Sequence, residues 1–308
     1  MNIMTLINAL PGAVAQGLIW GIMAIGVYLT FRILDFADLT VDGSMCTGGA
    51  VCIMMMQAGF GVWPSMLAAT GAGMLTGLAT GIFHTCMGIP AILSGILTQL
   101  SLYSVNLKIM GKANQAISVG KYDLLVSLRY IKGVPFYQNT IFVVAVFIVV
   151  LIAVLYWFFG TELGCAIRAT GCNSSMSRAQ GINTSFNKVL GLMVSNGLVA
   201  LSSALLAQYQ GFADINMGRG AIVIGLAAVI IGEAVFSKIF RNFALRLLGV
   251  ALGSILYYLV LQTVIWLGID TDLLKLLSAI VVAIFLATPY WKGKYFSKPM
   301  KRGENSNA

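Results

Sequence analysis

The chain has 308 residues, of which 59% are hydrophobic and only 9% charged, whereas a soluble domain carries roughly 25% charged side chains. This excludes a sizeable soluble domain and makes the chain an all-α polytopic membrane protein, in which stretches of about 20 apolar residues cross the bilayer core. The net charge of +9 sits in short clusters between apolar runs, as membrane topology arranges it, and does not form a nucleic-acid-binding face.

In chain order, the opening MNIMTLINALPGAVAQ lacks the basic start and long apolar core of a removed signal peptide. Hydropathy then predicts about nine transmembrane or re-entrant helices, over 10–31, 43–57, 64–87, 89–110, 139–159, 188–210, 219–236, 245–267 and 272–289. The second and seventh are short and glycine-rich, the pattern of broken or re-entrant helices whose backbone is shielded by protein or lines a watery cavity. Between the fifth and sixth, the sequence predicts a short helix over 174–180. One transmembrane domain over 1–289, a loop at 160–187 and a basic tail at 290–308, expected to be disordered, complete the organisation. The tail and the linker SKIFRNFALR place the C-terminus and the 160–187 loop in the cytoplasm and the N-terminus outside. The segment 111–138 falls outside despite Lys112, Lys121, Arg129 and Lys132.

The stretch FADLTVDGS at 36–44 is echoed by FADINMGRG at 212–220, and the same offset superposes Gly21 on Gly197, Ala24 on Ala200, Leu29 on Leu205 and Gly49 on Gly225. In the predicted topology the two copies lie at opposite faces. Halves inserted with opposite polarity are frequent in transporters, so an inverted repeat is one reading and coincidence at two helix ends the other.

No GxxxxGK[ST] phosphate cradle is present, so the chain cannot energise transport through that route. The cysteines Cys46, Cys52, Cys86, Cys165 and Cys172 lack a CxxC pair and His84 is the only histidine; apolar packing accounts for them better than a metal site or a disulfide. No nucleophile, base or metal set is clustered, which argues against an enzyme, and no cofactor is expected. Asp38 and Asp42 read most simply as N-caps of the second segment. Glu233 either reaches the interface beside Lys238 or serves a substrate. Asp42, Glu233 and the polar side chains Ser94, Gln99, Asn106, Asn196, Ser203 and Gln208 are the candidates for lining a translocation pathway, although any one of them can equally bond a neighbouring helix.

The residues GTELGCAIRATGCNSSMSRAQGIN from 160 to 183 form a compact connector between two membrane segments. With Ala166 to Thr170, Gly181 to Asn183, LLAQYQG at 205–211, Met217-Gly218 and GLAAVIIG at 225–232, it resembles the coupling-helix region of permease subunits in branched-chain amino-acid type ABC importers. The stretch GLIWGIMAIGVYLTFRILDFADLTVDGS resembles that family's first helix and the turn opening its second. Two departures, the late glycine at Gly43 and Glu233 after Gly232, point to an outlying subgroup, one resembling permeases encoded with binding proteins often assigned to aromatic amino acids.

The resemblance implies a type II importer-like permease that carries a small-molecule solute, an amino acid foremost, across the cell membrane. Its implied partners are a second copy of the chain in a homodimer, two ABC ATPase subunits, an extracytoplasmic substrate-binding protein and membrane lipid. Arg168, Ala169, Thr170, Gly171, Asn173, Ser174, Met176, Arg178 and Gly181 would then couple to the ATPase. Gly171→Arg is expected to abolish stimulated ATP hydrolysis without unfolding the chain. The alternative is an ion-coupled secondary transporter that works without an ATPase.

Overall fold

A computed structural model describes residues 3–118, 122, 124–128, 139–236, 239–268 and scattered positions between 273 and 287. Helix α1 (Ile3–Tyr28) ends in a π-helical turn, Leu29–Ile33, followed by α2 (Val41–Gln57), α3 (Val62–Thr85), α4 (Ala91–Met110) and strand β1 (Asn114–Ala116). Helices α5 (Thr140–Gly160), α6 (Glu162–Cys172), α7 (Ser174–Ala179) and α8 (Thr184–Gln210) come next. Strand β2 (Phe212–Asp214), α9 (Ala221–Phe236) and α10 (Phe243–Trp266) close the described chain. Eight of the nine predicted segments are helices here. The ninth, like the basic tail, lies largely or wholly outside the described residues.

Among the described residues, five helical stretches are long and apolar enough to cross a membrane: Asn8–Ile33, α3, α5, α8 and α10. Helices α2 and α9, at 17 and 16 residues, reach only about 25 Å at 1.5 Å per residue, short of a bilayer core of about 30 Å. Both start inside the bundle, as their shortness suggests. After the π-helical turn, residues 34–40 run back along α8, with Leu34 against Gly191 and Asp38 bonded to Asn196, before α2 begins. After β2, residues 215–220 likewise run inward to deliver the start of α9 to Asp42.

The two FAD stretches occupy matching places. Asp35 and Gly211, 176 residues apart, both adopt a left-handed backbone, with φ of 51° and 80°. The Asp38 carboxylate then accepts from the Thr40 N–H at 2.9 Å, and that of Asp214 from the Asn216 N–H at 2.7 Å. Packing follows the same rule: α1 lies against α10 as α8 lies against α3, and α1 and α8 cross each other between them. These are two copies of one helix, turn and short-helix unit, packed antiparallel.

Small residues and hydroxyls let these helices approach. Gly73, Gly77 and Gly81, one turn apart on α3, face Asn196, Leu192 and Val189 of α8, while Gly17 and Gly21 of α1 face Ile255 and Ala251 of α10. Between apolar helices such close backbone contact and interhelical hydrogen bonds supply the attraction that water supplies elsewhere. Ser202 and Ser195 of α8 donate to the Ile19 and Gly26 carbonyls at 2.7 Å each, and Ser254 of α10 donates to the Gly17 carbonyl at 2.8 Å. At the end of the bundle remote from α6 and α7, β1 and β2 pair antiparallel, Gln115 opposite Ala213.

Candidate functional site

Where the short helices meet, the interior is polar. Asn196, fully buried, donates to Asp38 Oδ2 at 2.7 Å and accepts from Ser44 Oγ at 2.6 Å. Thr76 Oγ1 lies 2.6 Å from Ser44, and a chain of hydroxyls, Thr40, Thr80 and Thr98, continues at 2.6 and 2.9 Å onto α4. The residues following the first FAD are thereby tied to α3, α4 and α8. Buried polar groups persist in an apolar bundle only when paired in this way.

Asp42 departs from the sequence-based expectation. In the first turn of α2, it caps another helix: Oδ2 accepts from the Gly220 N–H at 2.9 Å and Oδ1 from the Ile222 N–H at 3.0 Å, both at the start of α9. The cause is the head-on meeting of the two helix starts, where a carboxylate answers the exposed N–H groups of its neighbour. The start of α2 is instead braced by Asp38, through Thr40.

Beside Asp42 lies a cavity of about 160 Å³ whose walls include Gly43, Gln99, Tyr103, Asn106 and Arg219. Three of the predicted pathway residues, Asp42, Gln99 and Asn106, come together here. Four others lie fully buried in the bundle. Ser94 donates to the Ala91 carbonyl of its own segment, Asn196 joins the network above, and Ser203 donates to the Met45 carbonyl. Gln208 accepts from the Leu125 N–H at 3.2 Å. A second cavity of about 180 Å³ is mostly apolar, with Phe31, Leu39, Ile92, Ile222 and Leu226 in its walls beside Thr30 and Asp38.

Glu233 sits elsewhere, towards the α6 end. Its Oε1 accepts from Arg32 Nε at 3.0 Å, and both groups line a cavity of about 340 Å³ with Arg246, Phe236 and Phe240. Lys238, its expected neighbour, lies outside the described residues.

The connector is built from capped short helices. Thr161 caps α6, Asn173 accepts from the Met176 N–H at 3.0 Å to cap α7, and Asn183 accepts from the Phe186 N–H at 3.1 Å to cap α8. Gly181, at φ 81°, follows α7. Helix α7 thus spans the short helix read from the sequence, and it presents Met176, 63% exposed, together with exposed Arg178; Ser174, at its start, is half-buried. Helix α6 faces the bundle instead. Thr170 is buried, Ala169 half-buried, the Arg168 guanidinium lies 5.5 Å from the Phe243 ring centre, and Gly171 packs on the Ile33 carbonyl of the π-helical turn. A Cβ at Gly171 would overlap that carbonyl, so Gly171→Arg would disturb packing, contrary to the expectation of an intact fold.

Sequence reasoning missed Tyr103, Arg219, Arg32 and Arg246. Two of them left a signal: Gln99, Tyr103 and Asn106 fall at i, i+4 and i+7 on one helix face, and Arg219 lies within the second FAD stretch. Arg32 and Arg246 were legible only as basic flanks.

The family described as "Branched-chain amino acid transport system / permease component" matches residues 10–286. The chain is 38% identical over 281 residues to a tyrosine transport system permease protein of Clostridioides difficile, covering 91% of each. It is 35% identical over 283 residues to an uncharacterized protein of Rickettsia prowazekii, covering 91% of this chain and 98% of that one. It is 27% identical over 269 residues to a fructose import permease of Bifidobacterium longum, covering 86% and 73%. Among solved structures, PsaBC from Streptococcus pneumoniae in complex with Fab superposes with a TM-score of 0.54 at 16% identity, covering 95% of this chain and all of that one, a likeness of fold. The chain belongs to the permease components of branched-chain amino-acid type ABC transport systems, membrane subunits that are not themselves enzymes.

Proposed function

We propose that the chain is the pathway-forming half of an ATP-driven importer for an amino acid, an aromatic one in the first place. The observation that carries this reading is the similarity to the tyrosine permease across nine-tenths of both chains, and the family match spans the cavity beside Asp42 and the connector together. Two copies stand side by side. In a single copy, Leu93, Ile96, Leu100 and Leu107 of α4, the helix that carries Gln99 and Asn106, are exposed, and a second copy covers them and closes the pathway. A substrate-binding protein docks at the β1–β2 end, outside, and two ATPases dock at the α6–α7 end, in the cytoplasm with the C-terminus.

Coupling runs through contacts already described. Met176 and Arg178 meet the ATPase, and α6 passes the movement through Gly171 to the π-helical turn, where Arg32 holds Glu233. Arg168, Ala169, Thr170, Asn173, Ser174 and Gly181 shape and anchor this unit. Asp42, Gln99 and Asn106 face the solute, whereas Ser94, Asn196, Ser203 and Gln208 hold the pathway helices. Family membership weighs against a transporter that works without an ATPase.

The test is a mild-detergent pull-down of the tagged chain from its native membrane, with mass identification and an ATPase assay. An ATPase is expected to co-purify, and Met176→Asp to lower its stimulated activity by about tenfold or more, the usual cost of placing a charge in an apolar contact. A chain that remains alone after crosslinking and moves L-tyrosine down an ion gradient would replace this reading with the ion-coupled one.

A further inference from the structure

The cavity beside Asp42 contains a side chain that the fold leaves unanswered. Asn106 is 1% exposed, and apart from the weak thiol of Cys46 neither end of its amide meets a hydrogen-bond partner among the described residues. The polar group beside it is the Cys46 thiol, a weak partner that already contacts the Asp214 carbonyl at 3.7 Å. Buried amides are almost always paired. Two turns earlier on the same face, Gln99 lines the same cavity, so two carboxamides point into one space.

Opposite charges complete the walls. Each Asp42 oxygen accepts one backbone N–H and keeps a further lone pair. Arg219 is exposed and forms no ion pair among the described residues. A bare organic acid would bring a like charge against the Asp42 carboxylate, and a simple amine or a sugar would leave the Arg219 guanidinium without a charged partner. A zwitterion answers both, and carboxamides can serve either of its ends.

We propose that this cavity is the recognition site for the head group of a free α-amino acid, which rests on the importer reading above. Asp42 and the carboxamide oxygens take the ammonium, while Arg219 and the carboxamide N–H groups take the carboxylate. About 160 Å³ seats the head group and leaves the side chain at the mouth, beside Leu100 and Tyr103, both exposed in a single copy and facing the pathway that the second copy closes. The site thus reads what all amino acids share and leaves the choice of side chain to the binding protein.

The test follows the thermal unfolding of the purified complex with L-phenylalanine, phenethylamine, which lacks the carboxylate, and 3-phenylpropionate, which lacks the ammonium. L-phenylalanine alone is expected to raise the midpoint, with the shift lost in Asn106→Leu and Arg219→Gln and kept in Arg219→Lys. In uptake, both disabling variants should slow L-phenylalanine by about tenfold or more, the cost of a charge-assisted bond in a closed site, while binding-protein-stimulated ATP hydrolysis persists. Equal shifts with either analogue, no shift with any of L-phenylalanine, L-tyrosine and L-leucine, or joint loss of uptake and stimulated hydrolysis would overturn the assignment. If the zwitterion-specific shift appears but no ATPase co-purifies, the site stands and the importer reading falls.

Discussion

Asp35 is the one described residue other than glycine with a left-handed backbone, a geometry that costs most L-residues about 1–2 kcal/mol and Asp or Asn less. It turns the chain from the π-helical turn into the inward-running segment, as Gly211 does at the matching place. Asp35→Val is therefore expected to lower stability by about 1–2 kcal/mol and Asp35→Gly to be nearly neutral, read from thermal unfolding in detergent. Equal stability of the Val variant would show that the turn adapts. The repeated tripeptide was visible in the sequence. The left-handed residue before it was not, because an Asp in one copy stands for a Gly in the other. Asp42 shows the same limit from another side: its helix-start chemistry was legible, but its partners lie 178 and 180 residues away and only the fold brings them there.

At the scale of elements, apolar period and length located the helices well, and the short helix between the fifth and sixth segments is present as α7. Which faces touch was not readable, since almost every face of such a helix is apolar. Glycine spacing decides it. Gly48 of α2 lies directly on the Ala200 backbone of α8, so that even a Cβ would overlap it. Gly48→Val should push α2 off α8, at a cost of about 1–3 kcal/mol or more for overpacking, and it should weaken the adjoining Ser44 to Asn196 bond. Proteolysis and thermal unfolding of the membrane-inserted chain measure this, and an unchanged midpoint would refute the close crossing. Pathway candidates suffered from the same ambiguity: polar residues on α4 and α8 looked alike in sequence, yet Gln99 and Asn106 face a cavity and Asn196 and Ser203 hold helices together.

On the scale of the whole molecule, the two copies run in opposite directions, so the operation that superposes one on the other also exchanges the two ends of the bundle. Under the importer proposal, a conformation open at one end would have a twin open at the other, reached when each copy takes up the local geometry of its counterpart, as inverted-repeat transporters allow. The copies differ most plainly at their first helix ends: α1 closes with the π-helical turn at Leu29–Ile33, whereas α8 remains α-helical through Gln210. In the twin, the wide turn would pass to residues 205–209, and α1 would wind regularly through Arg32. A structure of the complex held with ATP checks this directly, and a π-helical turn unmoved at 29–33 would count against it. Rewinding that turn rotates Arg32 about the helix axis and away from Glu233, so the asymmetry of a single helical turn would record which side of the membrane the pathway faces.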